Sequence, residues 1–469
     1  VIGIVRLSNP EMSRGALRRT RGAEPAIQDV EPFLHGKSAS RSAPRFMSRQ
    51  FKLFLTRLSN RLPARIRRVL LDFAAFFAFK VWRPALRAIP CGLLRRLPFS
   101  SIVLGPPKGL CPTAADCCRQ SGRFLPLQAG HEIVRSRPPS VIGGAVHPVF
   151  LMHQRAFSTE TYVARIPGAR VYGDCGAVIT PDDRLLADVS LEITRRGFTH
   201  SVFSRFRLGR PQPLAGLSAV LATEGRMNFY HWLFDVLPRV RLLQDAGIAF
   251  DEVRHFLIGE FAAPFQKESL ELLGIPADRC VPCAPSAHYL CDELLVPSLA
   301  GVSGHPPAWV CDFLRQIFLG AGDAPAAAGQ GRKIYVSRAS AHFRRVLNED
   351  EVVRVLAAEG FEVVRLETLS VREQARLFAE ADVVVAPHGA GCTNVVFCRP
   401  GTAFIEIFSP RYVMALYWIV CSHRNVRYAY DVGRSGESGS DGHYFTMVED
   451  IDVDCERLLQ TIALCRSLP

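Results

Sequence analysis

From Lys333 to Ala429 the chain alternates short apolar runs with longer amphipathic ones, and few folds accept that pattern. Predicted strands at Lys333–Ser337, Phe361–Arg365, Asp382–Pro387, Thr402–Ile407 and Val426–Ala429 are separated by predicted helices at Asn348–Glu359, Ser370–Glu380, Gly391–Phe397 and Tyr412–Cys421. Parallel neighbours need a crossover of about a dozen residues, usually a helix, so this spacing predicts a doubly wound α/β domain. A looser series precedes it, with strands at Leu217–Leu221, Val253–Ile258, 279–283 and 289–296 and helices at Asn228–Asp245 and Pro264–Leu273. Residues 162–190 alternate apolar and polar between Gly and Pro-Asp-Asp punctuation, which predicts short strands joined by tight turns. The Gly/Ala-rich stretch 320–332 has no apolar period and reads as a linker. The expected organisation is an extension over 1–145, an α/β domain over 146–320, a linker over 321–332 and a Rossmann-like domain over 333–469. Two such domains facing a cleft place ligands at the carboxyl ends of both sheets.

The charge is confined to one end. Residues 1–100 carry 20 Lys+Arg against 5 Asp+Glu, whereas the other 369 carry 37 against 39. Nucleic acid is therefore not an expected partner of the main body, because phosphate neutralisation needs a basic surface there. Only 6 of the 57 basic residues are Lys, an Arg bias typical of GC-rich bacterial genomes. The chain opens on Val1, and Met47 is an expected start site. Beyond it, arginines at 57, 61, 65, 67 and 68 interleave with aliphatic residues, and Val69–Trp82 is apolar except for Asp72 and Lys80. Fourteen residues do not span a bilayer, which needs about 20. A basic helix lying on an anionic membrane surface is one expectation, a disordered or mistranslated tail a second, and a single-helix nucleic-acid arm a third. The 14 cysteines form no framework, one CxxC at Cys280 and Cys283 is weak support for zinc, and Cys392, Cys398 and Cys421 sit in apolar segments as core residues. Cysteine usage and the lack of an Asn-x-Ser/Thr sequon favour a cytoplasmic location.

Three clusters carry polar chemistry. On a helix over 228–245, Phe229, Leu233, Val236, Val240 and Leu243 form an apolar stripe and Asn228, His231, Asp235 and Arg239 a polar one. His231 and Asp235, four residues apart, suit a general base for a hydroxyl group; the plainer reading is an exposed polar helix face or a buried structural His–Asp pair. The turn His388-Gly389-Ala390-Gly391, with Asn394, follows an apolar strand and opens a helix, where free N–H groups favour an anion. An oxyanion loop of a hydrolase fails for want of a Gly-x-Ser-x-Gly nucleophile elbow. Ser337 and Arg338, with Arg344 and Arg345 close behind, point a hydroxyl and guanidinium forks at the same rim, and Asn348 is expected to cap the next helix. Glu406, on the strand Thr402–Ile407, is placed to accept from sugar hydroxyls or to be an ordinary strand-end carboxylate.

In their order and spacing, Asn228-x-x-His231-x-x-x-Asp235, Ser337-Arg338 with Arg345-x-x-Asn348-Glu349, Gln374, and His388-Gly389-Ala390-Gly391-x-x-Asn394 resemble glycosyltransferase family 61. That family includes plant xylosyl- and arabinosyltransferases, animal O-GlcNAc transferases of the secretory pathway and bacterial capsular-polysaccharide proteins. The resemblance covers about 160–430; Cys392 stands where the family often has Leu. It implies a GT-B fold, a nucleotide-sugar donor (a UDP-sugar is expected) held by the C-terminal domain, a glycan or lipid-linked glycan acceptor, and inversion at the anomeric carbon without cofactor or bound metal. His231 or Asp235 would then be the base. Asn228, Ser337, Arg338, Arg345, His388, Gly389, Ala390, Gly391, Asn394 and Glu406 would bind substrate. An inactive nucleotide-binding protein and a membrane-associated scaffold of glycan assembly are the rival readings.

Overall fold

The computed structural model describes residues 102–135, 137–192, 199–205, 208–320, 331–435 and 448–468. The expected membrane-surface helix around Val69–Trp82 and most of the expected linker lie outside the described residues. Among the described residues no helix is long and apolar enough to cross a membrane.

The larger of two principal sheets has ten strands: β1 (Gly109–Cys111), β2 (Arg123–Gln128), β3 (Thr161–Pro167), β4 (Arg170–Tyr172), β5 (Ala177–Ile179), β6 (Arg184–Leu186), β7 (Gln212–Val220), β8 (His255–Gly259), β9 (Cys280–Cys283) and β10 (His288–Pro297). Their order is β9-β8-β7-β10-β4-β5-β6-β1, with β3 also on β10 and β2 on β3. From β9 to β10 neighbours run parallel, and helices after β7 and β8 supply crossovers. From β10 to β6 they run antiparallel. The expected doubly wound domain is thus a mixed sheet here. Tight turns explain it, with Gly168, Gly173 and Gly176 at positive φ leaving no length for a crossover between β3 and β5. The expected extension over 1–145 is folded from 102 onward, since β1 and β2 belong to this sheet.

The smaller sheet follows the expectation closely. Its strands β11 (Arg332–Val336), β12 (Phe361–Val364), β13 (Ala381–Pro387), β14 (Ala403–Phe408) and β15 (Arg427–Val432) lie in the order β12-β11-β13-β14-β15, every pair parallel. Runs such as AFIEIF in β14 are buried throughout, as both-face coverage demands. Helix Val371–Glu380 starts on a capping box in which Ser370 accepts from the Glu373 N–H and Glu373 accepts from the Ser370 N–H, worth about 1 kcal/mol. Asn348 precedes helix Glu349–Ala358 without a side-chain cap bond; its amide instead pairs with both backbone groups of Val453 at 2.8 and 3.0 Å.

Helices from both halves share one interior. Val236, Leu237, Val240 and Leu314 pack in the same apolar cluster as Phe378, Val395, Phe397 and Trp418, so the inner faces of the two sheets enclose a common helical layer. Cys392, Cys398 and Cys421 are buried in it. A strap at 137–150 ties the halves further: Trp418 Nε1 donates to the Arg137 carbonyl at 3.3 Å, Ser140 bridges Ala429 beside β15, and the His147 N–H donates to the Tyr430 hydroxyl at 2.8 Å. Phe150, fully buried, closes it against the Trp418, Tyr428 and Tyr430 rings.

Candidate active site

In the smaller sheet the chain leaves β11 for β12 on one side and returns to β13 on the other, and the carboxyl ends of β11 and β13 flank that switch point. Ser337 and Arg338 follow β11; His388 and Gly389 follow β13. The Arg338 guanidinium lies across Gly389 so closely that a Cβ there would sit 1.9 Å from Nη1. Any side chain at 389 would therefore push the Arg338 guanidinium from this position, whereas the backbone angle there suits any residue. Arg338 donates to the carbonyls of Arg344 (3.2 Å) and Phe343 (2.8 Å), and among the described residues no carboxylate pairs with it. Arg344 is 6% exposed, donates from Nε to the His388 carbonyl at 3.1 Å, and its guanidinium stands 5.3 Å over the Tyr412 ring. Burial pushes both guanidinium pKa values down, and for Arg344 the neighbouring Arg338 charge adds to it. A buried and a half-buried cation side by side are an arrangement that an anion would stabilise.

Behind them, His388 Nδ1 and Glu406 Oε1 are 2.5 Å apart, and Tyr428 donates to the other Glu406 oxygen at 2.6 Å. Burial raises the Glu406 pKa well above its ordinary value, while burial and then the Arg344 and Arg338 charges lower that of His388. Neutral imidazole beside a neutral carboxylic acid is the arrangement both directions favour. Glu406 then donates to Nδ1, and His388 Nε2 carries the remaining N–H.

The opposite wall is the helix that opens at Phe229–His231, passes through a π turn at Trp232–Val236 and continues as Leu237–Asp245. Asn228 caps it, accepting from the Tyr230 N–H at 2.9 Å. His231 Nδ1 lies 2.7 Å from Asp235 Oδ2, which also accepts from Ser303 Oγ at 3.1 Å. With Nδ1–H held by the carboxylate, Nε2 is the proton acceptor. Burial lowers the His231 pKa, but the hydrogen bond and charge of Asp235, with the charge of Glu224, more than reverse it, so it stands above the ordinary value. The two walls touch through aromatic rings. Tyr230 packs on Tyr417 at 5.9 Å, and Tyr417 donates to the Gly389 carbonyl at 2.8 Å.

A base held by a carboxylate thus faces a buried arginine, Arg344, and a half-buried one, Arg338, across a shared aromatic contact. Residues 229–405 match the family model for glycosyltransferase 61. The match supports a glycosyltransferase. It begins at the first turn of the His231 helix and ends within β14, spanning His231, Asp235, Ser303, Arg338, Arg344 and His388. No curated protein matches the chain.

Of the residues expected to serve this glycosyltransferase, His231, Asp235, Ser337, Arg338, His388, Gly389, Ala390 and Gly391 converge. Four do not reach the site as expected. Arg345 turns outward and makes a two-pronged bond with Asp450 (2.7 and 3.1 Å), because Arg344 takes a left-handed φ of 52° that sends its own side chain inward. Glu406 is fully buried beneath His388, out of reach of a sugar hydroxyl. Asn394 is also fully buried, its amide donating to Gln374 and to the Gly391 carbonyl. Asn228 serves as the helix cap described above. Arg239, expected on a polar stripe, is 1% exposed and spends its guanidinium on the Ala222 and Pro297 carbonyls. The extra residue of the π turn rotates the stripe, and the helix is buried nearly all round.

Sequence reasoning missed Tyr412, Tyr417 and Ser303. Tyr417 carried a weak signal, an aromatic inside the predicted helix Tyr412–Cys421, a helix and a strand beyond the glycine turn; Ser303, in a loop with no motif, carried none. Neither cysteine grouping suits a metal. Cys280 and Cys283 are three apart along β9, which turns them to opposite faces. Cys175, Glu192 and His200 cluster, but His200 Nδ1 accepts from the Val202 N–H, leaving Nε2 protonated toward the thiol.

Proposed function

We propose that this glycosyltransferase moves a sugar from a UDP-sugar to a hydroxyl of a glycan acceptor, with inversion at the anomeric carbon, in capsular or exopolysaccharide assembly, and that its two halves act as a GT-B pair. The observation that carries the reading is the meeting of the His231–Asp235 pair with Arg338 and Arg344 across the Tyr230–Tyr417 contact. His231 Nε2 takes the acceptor proton as that oxygen attacks the anomeric carbon. The bond from carbon to the diphosphate oxygen breaks, and its electron pair leaves on the nucleoside diphosphate. Asp235 holds the ring and stabilises the imidazolium. Arg338, Arg344, the His388 Nε2–H and the N–H groups of Ala390 and Gly391 stabilise the leaving charge in a desolvated setting, where such donors act most strongly.

A thermal-shift screen of nucleotide sugars tests the donor, because a ligand at 100 times its Kd adds about 2.7 kcal/mol to stability. A UDP-sugar is expected to raise the Tm of the wild type and to be hydrolysed slowly without acceptor. Binding without any turnover would favour the inactive nucleotide-binding reading, and no shift with any nucleotide sugar would overturn the donor assignment. We further propose that the basic arm holds the enzyme on the cytoplasmic face of the membrane. Deleting residues 47–96 is expected to release it to the soluble fraction; equal membrane recovery with and without the arm would sink that idea.

A further inference from the structure

The loop that leaves β11 carries a side chain that the transfer step leaves unused. Phe343 is 39% exposed, yet its backbone is clamped: Arg338 Nη2 donates to its carbonyl at 2.8 Å, Arg338 Nε donates to the next carbonyl at 3.2 Å, and the Ala341 N–H donates to the Arg338 carbonyl at 2.9 Å. The left-handed φ of Arg344 turns that guanidinium inward and leaves its neighbour Phe343 at the open rim, where the bond from Arg338 is itself exposed to solvent. A solitary apolar ring on a surface needs no explanation. A ring whose own backbone is held by a phosphate-facing guanidinium does. Standard covalent geometry puts it within about 9 Å of Arg338 Nη2, close to the span from terminal phosphate to base in a nucleoside diphosphate.

The loop after β12 stands against this one. Ser340 Oγ donates to Glu367 Oε1, and among the described residues no donor bonds Glu367 Oε2. Glu367 is exposed. The same loop packs on the glycine turn, since a Cβ on Gly391 would sit 3.0 Å from Leu366 Cδ1. Because β12 follows β11 through a single helix, Glu367 stands just past the carboxyl end of the second strand of an α/β unit, a place from which a carboxylate accepts from ribose hydroxyls. An aromatic ring takes the face of a base, a carboxylate the paired hydroxyls of a ribose, and an arginine fork the phosphates. All three chemistries meet on one rim.

Building on the nucleotide-sugar reading above, we infer that Phe343 stacks on the nucleobase of the donor and that Glu367, oriented by Ser340, accepts hydrogen bonds from its ribose hydroxyls. The nucleoside is then gripped by two exposed loops that take no part in the proton transfer at His231.

Calorimetric titration of the full-length protein with UDP, 2′-deoxy-UDP and inorganic pyrophosphate tests this. Phe343→Ala, on an exposed loop, is expected to weaken UDP by about tenfold and to leave pyrophosphate unchanged. Phe343→Trp is expected to restore UDP affinity and to add a tryptophan fluorescence quench on UDP, absent in the wild type and absent with pyrophosphate. The wild type should prefer UDP to 2′-deoxy-UDP, and Glu367→Gln should erase that preference. Unchanged UDP affinity in Phe343→Ala would overturn the proposal. An equal loss for pyrophosphate would do so too, because the ring would then act only by holding Arg338, as would an effect confined to the acceptor KM, which would make the ring a sugar platform. A wild type that binds pyrophosphate but no UDP would bring down the donor reading and this proposal with it, whereas UDP binding untouched by either loop variant sinks this proposal alone.

Discussion

The two walls of the cleft are built on different principles. On the C-terminal side, Ser337, Arg338, His388 and Gly389 take their places from the ends of regular parallel strands, and any sheet with the order β12-β11-β13-β14-β15 would present those positions. On the N-terminal side, His231 and Asp235 depend on a π turn and on a serine from a loop 68 residues away in sequence. Binding an anion at a switch point is a generic property of the sheet, whereas aiming a base takes local irregularity. The walls should therefore separate in mutants, one governing turnover and the other donor affinity.

His231→Ala tests that separation most severely. It is expected to lower kcat by about 10²–10⁴, the usual worth of a positioned general base, with donor Kd nearly unchanged. A parallel loss of donor affinity would merge the two walls into one. Asp235→Asn is expected to cost less than His231→Ala and to shift the pH profile. Because Asp235 raises the His231 pKa, its removal lowers that pKa, and the acidic limb of kcat should move to lower pH. A limb that stays put would mean that His231 is not the titrating base.

Arg338→Lys sharpens the other side. It keeps the charge but loses the planar fork, and donor Kd should rise about 10–100-fold, the worth of one or two charge-assisted bonds, with a smaller change in kcat. Glu406→Gln probes the neutral pair behind it through stability. Unfolded, Glu and His titrate near their ordinary 4.5 and 6.5. Folded, the pair keeps one proton across that interval, so it adds no pH dependence between the two values. Above 6.5 the unfolded pair has lost both protons while the folded pair retains one, so stability falls as pH rises; below 4.5 the unfolded pair binds two, and stability falls as pH drops. Gln removes the titrating acid, and the alkaline decline of Tm should flatten relative to wild type. An unchanged slope would show that the folded pair does not retain its proton above 6.5. The smallest effect is expected from Arg345→Ala: donor affinity should not change, and a clear rise in donor Kd would put Arg345 back in the site.

Much of the smaller sheet was legible because its strands are buried on both faces, and Val383–Val385 or Phe404–Ile407 leave no other reading. The switch-point residues came with it. Choosing Arg345 over Arg344 was beyond sequence, because the decision rests on one left-handed backbone angle that costs roughly 1–2 kcal/mol and reverses which neighbour points inward. The polar stripe failed for a similar reason: a 3.6-residue period predicts Arg239 outside, and the π turn carries it into the core. The early strands β1 and β2 escaped notice because they are short and lie at the sheet margins, with β2 largely exposed, so their residues carry little apolar periodicity.

The strap at 137–150 has a consequence for how the chain is made. His147 and its partner Tyr430 are 283 residues apart. At roughly 5–20 residues per second, the strap leaves the ribosome about 15–60 s before the strand it docks on exists. For most of that interval Phe150 has none of the four rings that later enclose it, the first of them being Phe408. Nascent chains of this protein therefore carry a sticky aromatic segment for most of their synthesis, a natural binding site for a holdase chaperone. Any product that stops short of Phe408 lacks all four rings and keeps that segment uncovered for good.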